Sequence, residues 1–457
     1  MMMAAMFRRY CLRTACWLLV FAPWVASSAW SQDFIPDLVC PNVGVRSPAT
    51  RTTNAADEEI VPVNLAAIGD AGTRPPASDP LLMAQFTPGV VGTQDLGIRR
   101  LAIWGDSHIA SGIFVDELRR ILISGGTQTT SSFIPPYMSR RGVRIPVRAF
   151  CVGSAWSLSP AYISRAEVAT GPALAEMGMA GDPETAYLWF DLRSTQRKPD
   201  VVGLHMLYRP LKSEAQVAVS LDDGPEDYYF LEAASDADNS FTRELYIGDR
   251  NPLSIVKIRV VAGPVVLQGF FMDKVTESSL TVDVFGIPGS TVNGWAVANP
   301  QQLSTAFYDR NYDAVVLEFG TNEAVGNFNP TSYAKTLERA LINLRQVFPN
   351  AACLLIGAPD RGVIVRRKRG SHQASPSVDQ LLRYSFIHRQ INEIQAVTGA
   401  SFGCRAWDWQ LAMGGPGSAY RWSQMTPPLM SPDLIHLATP GYKISAAALA
   451  RHLGWLN

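Results

Sequence analysis

The sequence predicts an α/β protein in which a Rossmann-like, three-layer body with a parallel sheet is interrupted by an inserted β-sandwich. Two observations predict the body: short apolar runs end in glycine or polar turns, and amphipathic helical segments follow them. A third predicts the insertion. Between about 186 and 282 the chain changes to short, partly alternating runs separated by turns rich in Asp, Gly and Pro, which is typical of a sandwich or jelly roll.

Composition indicates a globular chain without an excess of either charge. Of the 457 residues, 47% are hydrophobic and 18% are charged, and the formal net charge is zero. A nucleic-acid-binding protein would need a strongly basic face, so this class is disfavoured. The length predicts two or three domains at about 150 residues each.

Residues 1–31 have the pattern of an export signal. Several arginines precede an apolar run that ends in the small residues 26–29, and we expect cleavage between 29 and 32. The alternative is an uncleaved anchor, because no charge occurs between Arg13 and Asp33 and a span needs about 20 apolar residues. The protein is therefore expected to be periplasmic or secreted, and at a membrane only if the signal is retained.

Residues 32–96 are predicted to form a loosely ordered lead-in that wraps the body. The segment is rich in Pro, Ala, Thr and Gly and has weak periodicity. Within it, the run 60–65 is the one candidate for an edge strand. The sequence assigns no function to the lead-in.

The first part of the body is predicted over 97–185. An apolar run at 101–105 predicts a buried strand, and an amphipathic helix follows it. Ser107 lies in the turn between them, where backbone N–H groups favour negative charge, and this makes it a candidate nucleophile. The alternative is that Asp106 or Ser107 simply caps the helix.

The inserted sandwich is predicted over 186–282. Exposed aromatic side chains on such a sheet stack against the apolar faces of sugar rings, although aromatic residues in strands are more often core. The candidates for such stacking are Tyr208, Tyr228, Tyr229 and Tyr246.

The second part of the body, 283–457, begins with two further strand-and-turn segments. The run 284–291 contains a glycine turn at Gly289, and the run 315–323 ends in a polar turn with Asn322. A backbone N–H at Gly289 and a side-chain amide at Asn322 are suitable donors for a developing oxyanion, and the N–H of Ser107 would add a third. Alternation then continues with a helix at 332–348, a strand at 352–357, a helix at 378–397, a strand at 406–409 and a helix at 442–453.

A carboxylate and an imidazole lie near the C-terminal end of the sequence. Asp433 and His436 are three residues apart in a turn before the last helix. That spacing lets the carboxylate accept from one ring nitrogen and leaves the other free to act as a base. A pair of this kind also occurs for purely structural reasons.

These segments, in this order, resemble the SGNH/GDSL hydrolase superfamily. The match is carried by Gly105-Asp106-Ser107, Gly289, Gly320-Thr321-Asn322 and Asp433-x-x-His436. The resemblance implies that Ser107 is the nucleophile, His436 the general base and Asp433 its orienting partner. It also implies an oxyanion hole made by the N–H groups of Ser107 and Gly289 and the side chain of Asn322.

The sequence departs from the pattern of many family members at two positions. His108 stands where leucine is frequent, and Glu323 where aspartate is frequent. Both are predicted to line the mouth of the site and to bear on substrate binding. Trp422, in a glycine-rich loop before Asp433, is predicted to border the acyl pocket; the loop is similar to one in the peptidoglycan branch of the family.

A sandwich inserted ahead of the glycine segment resembles the layout of bacterial peptidoglycan O-acetylesterases. The resemblance implies an esterase that removes O-acetyl groups from a cell-envelope or extracellular polysaccharide through an acyl-enzyme. Two alternatives remain open: an O-acetyltransferase that uses the same triad, and a non-catalytic glycan-binding protein. The expected partner in each case is a polysaccharide, and the sequence does not indicate the oligomeric state.

Four cysteines follow the predicted signal, namely Cys40, Cys151, Cys353 and Cys404. In an oxidising compartment they allow two disulfides in three connectivities. The alternative for Cys353 and Cys404, which lie in strand-like runs, is a free buried thiol. No cluster of His and Cys has metal-ligand spacing, so we predict no metal and no cofactor.

A basic segment at 361–369 follows a predicted strand of the body. Ligands of parallel sheets bind beyond the carboxyl ends of the strands, so this segment is expected near the rim of the site. It either holds an anionic polymer or forms a solvated loop.

Overall fold

A computed structural model of the chain describes residues 36–41, 58–61, 63, 65, 66, 68, 98–235, 241–275, 278–368 and 376–456. The predicted signal at 1–31 and most of the predicted lead-in lie outside these ranges. No helix formed by the described residues combines the length and the apolar character needed to cross a membrane.

A six-stranded parallel sheet forms the centre of the body. The strand Arg100–Gly105 lies in its middle, between Leu280–Gly286 on one side and Ala314–Glu318 on the other. Across the sheet the strands are, in spatial order, Cys404–Trp407, Ala352–Ile356, Ala314–Glu318, Arg100–Gly105, Leu280–Gly286 and Thr129–Thr130. The carboxyl ends of all six strands therefore meet at one edge of the sheet.

Helices cover both faces of this sheet, which gives three layers. Ile113–Ser124 and Thr439–His452 pack on one face, where the side chain of Ile103 joins their apolar core. Pro330–Val347 and Val378–Ser401 cover the other face, towards which Trp104 points. The shorter helices are Ser107–Ala110, Asn293–Val297, Pro300–Ala306, Trp409–Ala412 and Ser418–Ser423, and single 3₁₀ turns occur at Ala161–Ile163 and Pro183–Thr185.

Two antiparallel sheets pack face to face and enclose a separate apolar core. The first contains, in spatial order, Glu226–Leu231, Ala215–Leu221, Ile255–Ala262, Tyr187–Asp191 and Ala149–Val152. The second contains Arg243–Leu253, Val201–Arg209, Val266–Lys274, Ala175–Met179 and Trp156–Pro160, with Phe133–Ile134 paired to Val266–Lys274. The predicted fold class, a parallel three-layer body with an inserted sandwich, is confirmed.

The predicted boundaries of the insertion at 186 and 282 are displaced. Strands of the two antiparallel sheets begin before 186, at Ala149–Val152, Trp156–Pro160 and Ala175–Met179. The parallel strand Leu280–Gly286 begins before 283. The early strands are short and their burial does not alternate clearly. The hydrophobic pattern of the sequence therefore does not change where the sandwich begins.

A short piece of the lead-in pairs with the basic segment. Glu58–Ile60 and Arg366–Lys368 form an antiparallel two-stranded sheet, with Ile60 opposite Arg366. The predicted edge strand at 60–65 is thus displaced towards the N-terminus and joins no larger sheet. Part of the basic segment is strand, which corrects the alternative of a solvated loop.

Two disulfides join the four cysteines outside the predicted signal. They are Cys40–Cys151 and Cys353–Cys404. Cys353 and Cys404 are opposite each other on adjacent parallel strands, so their side chains leave the same face of the sheet. The alternative of free buried thiols at these two positions is wrong.

Candidate active site

Ser107 lies at the carboxyl end of the central parallel strand. The strand stops at Gly105, where a Cβ would lie only 2.4 Å from a side-chain carbon of Ile109, so glycine is needed for the chain to turn this tightly. The carboxylate of Asp106 accepts a hydrogen bond from the backbone N–H of His108 at 2.8 Å and caps the short helix. Because Asp106 is the cap, the hydroxyl of Ser107 is free for another role.

The hydroxyl of Ser107 lies beside the imidazole of His436, with 2.9 Å between Oγ and Nε2. The other ring nitrogen, Nδ1, lies 2.7 Å from Oδ2 of Asp433. With the Nδ1 proton donated to Asp433, Nε2 accepts the hydrogen bond of the hydroxyl. The structure therefore brings Ser107, His436 and Asp433 together in the arrangement of a Ser-His-Asp triad.

The turn that carries Asp433 and His436 is held by its own hydrogen bonds. Oδ1 of Asp433 accepts from the backbone N–H groups of Ile435 and His436, both at 2.9 Å. Partial burial raises the pKa of Asp433, but the hydrogen bonds from the imidazole and these N–H groups outweigh it and lower the pKa below its ordinary value. The group that faces His436 is consequently a carboxylate.

The two other predicted donors lie on turns at the same edge of the sheet. The side-chain amide of Asn322 donates to the carbonyl of Ser290 at 2.9 Å and to Asp106 at 3.2 Å. Gly289, with φ of +85°, precedes Ser290, whose hydroxyl donates to the carbonyl of Gly105 at 2.9 Å. These bonds tie the Gly289 and Asn322 turns to the strand that presents Ser107.

Two fully buried carboxyl groups lie behind the nucleophile turn. The backbone N–H of Asp106 donates to Glu318 at 3.2 Å, and both side chains are inaccessible to solvent. Burial raises the pKa of Asp106 to about 6. Burial and the neighbouring Asp106 raise the pKa of Glu318 well above its ordinary value. Sequence analysis missed Glu318, although an acid inside the apolar run Val315–Phe319 was a visible signal.

His108 does not line the mouth of the site, which corrects the prediction. Its side chain is completely buried, its Nδ1 lies 3.0 Å from the hydroxyl of Tyr442, and its ring centroid is 5.5 Å from that of His436. Burial, followed by the charge on His436, lowers the pKa of His108 well below its ordinary value. The residue is a neutral packing partner beneath His436.

Glu323 and Trp422 make contacts within the fold that the sequence did not indicate. The carboxyl of Glu323 accepts from the backbone N–H of Val292 at 2.8 Å and from that of Gly320 at 3.0 Å, so it joins two turns of the site. Burial raises its pKa to about 7. Trp422 is only 7% exposed and belongs to the apolar core under the sheet. Periodicity could not reveal either contact, because both depend on how distant turns meet.

The tyrosines proposed for sugar stacking divide into two groups. Tyr208 is buried in the sandwich core and Tyr229 is partly buried against it. Tyr228 and Tyr246 are 54% and 52% exposed. Only the latter two present enough surface for a ligand.

From the basic segment, the side chain of Arg361 reaches the rim of the site. Its guanidinium stacks on Tyr384 at 4.3 Å from the ring centroid and lies 3.4 Å from the carbonyl of Thr321. The next backbone N–H, of Gly362, donates to the carbonyl of Leu434 at 2.8 Å. The prediction that this segment lies near the site is therefore consistent with the position of Arg361.

The described residues form a three-layer body with an inserted sandwich, and a solved structure shows the same fold. No family model and no curated protein sequence matches the chain. A solved peptidoglycan O-acetylesterase is similar at 19% identity with a TM-score of 0.56, over 82% of this chain and 95% of that one. The resemblance found in the sequence is thereby confirmed at the level of the fold.

A second solved structure is more distant. A family two carbohydrate esterase from Clostridium thermocellum, in complex with cellohexaose, matches at 10% identity over 67% of this chain and 100% of that one. Its TM-score is 0.26, too low to support any inference about this chain.

Proposed function

We propose that the protein is a serine esterase that removes O-acetyl groups from a peptidoglycan-like polysaccharide. The observation that carries the proposal is the chain of contacts from Ser107 through His436 to Asp433, at 2.9 Å and 2.7 Å. These three residues come from opposite ends of the sequence, and a purely structural Asp-His pair would not need a serine hydroxyl at its free nitrogen. The peptidoglycan O-acetylesterase fold supports the choice of ester.

The mechanism follows from the geometry. Oγ of Ser107 attacks the acetyl carbonyl while Nε2 of His436 takes its proton, and Asp433 stabilises the imidazolium. The oxyanion is held by the N–H groups of Ser107 and Gly289 and by the side chain of Asn322. His436 then protonates the departing sugar oxygen, and a water molecule, activated by the same imidazole, releases acetate from the acyl-enzyme.

An exported, polysaccharide-facing enzyme is also supported by the covalent structure. Disulfides persist in oxidising compartments, and the described residues contain two of them. We therefore place the activity in the periplasm or outside the cell, in agreement with the signal pattern at 1–31.

The test compares acetate release by the wild type, Ser107→Ala and Ser111→Ala on p-nitrophenyl acetate and on a panel of acetylated polysaccharides. We expect Ser107→Ala to lose at least about a thousandfold in kcat, because the nucleophile is removed. Ser111 lies one turn further along, where its hydroxyl donates to a backbone carbonyl, and its variant is the matched control. Full activity of Ser107→Ala would refute the assignment of the nucleophile.

The same assay separates the proposed esterase from a transferase. An added glycan acceptor is expected to leave the yield of free acetate unchanged. Transfer of most acetyl groups to the acceptor would instead assign the acyl-enzyme to an O-acetyltransferase.

A further inference from the structure

Two polar side chains that sequence analysis did not select converge on the Gly289 turn. A Cβ built on Gly289 would lie 3.6 Å from the hydroxyl of Tyr162 and 3.9 Å from a guanidinium nitrogen of Arg140. Both side chains are partly exposed. They therefore border open space beside the residue whose N–H is proposed to hold the oxyanion.

The backbone that carries each of these side chains is held by hydrogen bonds. Arg140 lies in a turn in which its N–H donates to the carbonyl of Tyr137 and its own carbonyl accepts from Val143. Tyr162 is in a short 3₁₀ turn, and its carbonyl accepts from the side chain of Asn293 at 2.9 Å. These hydrogen bonds fix the backbone from which the guanidinium of Arg140 and the hydroxyl of Tyr162 extend.

The guanidinium of Arg140 is partly buried and has no acidic partner in the described structure, whereas its neighbour Arg141, which also has none, is exposed to solvent. Arg144 pairs with Asp116 at 2.7 Å, and Arg148 pairs with Asp191 at 2.6 Å. In the part of the chain that the structure describes, the Arg140 guanidinium and the Tyr162 hydroxyl make no hydrogen bond or ion pair. An arginine kept unpaired at the edge of a site retains all its donors for a ligand.

We propose that Arg140 and Tyr162 form a carboxylate-binding subsite, so that the enzyme prefers acetyl esters on sugars that carry a carboxylate. A guanidinium binds a carboxylate through two parallel hydrogen bonds, and a phenolic hydroxyl supplies a third donor. Arg361 adds a second positive charge near the site, with its guanidinium 3.4 Å from the carbonyl of Thr321. The inference rests on the proposed function, because it names the class of sugar on which that esterase acts.

Two sources of carboxylate fit this chemistry, a lactyl ether on the sugar and a uronic acid. The experiment therefore uses two matched pairs: 6-O-acetyl-N-acetylmuramic acid with its lactyl amide, and an O-acetylated methyl glucuronoside with its amide. Each amide keeps the shape and removes the charge. For the wild type we expect kcat/KM to be about ten- to a hundredfold higher for the acid than for the amide in at least one pair.

In Arg140→Gln this preference is expected to fall towards one, mainly through KM, and Arg140→Lys is expected to keep part of it because the charge remains without the fork. Arg141→Gln is the matched control, since it removes the same charge from the next, exposed position of the turn. A preference confined to one pair identifies the source of the carboxylate.

Two results would overturn the subsite: equal kcat/KM for acid and amide in both pairs, or a preference that Arg140→Gln leaves intact. Failure of the proposed function gives a different result, since the wild type would then release no acetate from either member of a pair. Unfolding curves of the variants show whether a loss reflects misfolding.

Discussion

Two carboxyl groups of the sandwich differ from the carboxyl groups around the nucleophile turn in the direction in which their pKa values are shifted. In the sandwich, Asp191 and Glu244 are hydrogen-bonded to Arg or His side chains, and these contacts outweigh burial and lower the pKa of each. At the carboxyl edge of the parallel sheet, Asp106 and Glu318 are buried and Glu323 is partly buried. None of the three forms a salt bridge with an Arg or Lys of the described structure, and desolvation raises the pKa of all three.

The difference separates groups that hold the fold from groups that shape the site. Charges that meet opposite charges stabilise a given arrangement, whereas acids kept away from cations are common where chemistry takes place. We therefore expect substitutions at the sheet edge to change turnover more than stability. Substitutions in the sandwich are expected to change stability more than turnover.

Apart from loss of the nucleophile itself, the largest effect is expected at Asn322. Asn322→Ala removes a side-chain donor from the proposed oxyanion hole, and we expect kcat on p-nitrophenyl acetate to fall by about a hundred- to a thousandfold with little change in KM. Steady-state kinetics measure this directly. Asn327→Ala, an exposed position in the same loop, is the control. If kcat stays within threefold of the wild type, Asn322 is not part of the hole.

A smaller effect, on stability, is expected at Asp191. This buried carboxylate lies 2.6 Å from Arg148 and 2.7 Å from Arg193, which is itself almost fully buried. Asp191→Asn removes the buried carboxylate and leaves the two arginines only the half-exposed carboxylate of Asp37, which lies 2.7 Å from Arg148 and 3.3 Å from Arg193. We therefore expect the free energy of unfolding to fall by about 2–3 kcal/mol.

Urea denaturation measures the change, with Asp227→Asn on the exposed edge strand of the same sheet as control. Turnover of the small ester by folded Asp191→Asn is expected to stay within twofold of the wild type. A loss of kcat comparable to that of Asn322→Ala would show that the sandwich affects turnover as strongly as the sheet edge does, and would refute the proposed difference between the two regions.

The sequence was informative about repeating patterns and about residues with a chemical motif. The helix Pro330–Val347 agrees with the predicted helix at 332–348, because a 3.6-residue period is local information. The apolar residues that repeat with this period, and that the helix buries, are Tyr333, Leu337, Ala340, Leu341 and Leu344. The convergence of Ser107, Asp433 and His436 was predictable because strand ends of a parallel sheet share one edge and the motif fixed their order.

What the sequence could not provide depends on contacts between distant turns. His108 and Glu323 are polar residues beside a catalytic motif, and nothing local distinguishes one that faces solvent from one that is buried against Tyr442 or Val292. The proposed role of Arg140 could not be predicted either. It depends on the short distance from Arg140 to Gly289 and on the lack of an acidic neighbour in the described structure. Such information exists only after the chain has folded.

The last effect, a change of stability with pH, is expected from a buried histidine near the site. Nδ1 of His388 donates to the carbonyl of Pro359 at 2.6 Å, and burial lowers the pKa of this side chain to about 4. Between about pH 6.5 and 4 the unfolded chain binds a proton at this position and the folded chain does not. Stability is therefore lost as pH falls through this window, by at most about 1.4 kcal/mol per pH unit.

His388→Gln removes this titration. The raised pKa values of Asp106 and Glu323 act with the opposite sign in the same window, so the informative quantity is the difference between wild type and variant. We expect the wild type to exceed the variant in free energy of unfolding at pH 7 and the gap to narrow steadily towards pH 4, below which it levels off. A constant gap across urea titrations at pH 7, 6, 5 and 4 would show that folding leaves the pKa of His388 unchanged, so that the buried imidazole is protonated as readily as an unfolded one. The sheet edge would then accommodate a buried cation, as the sandwich does, and the two regions would not differ in this respect.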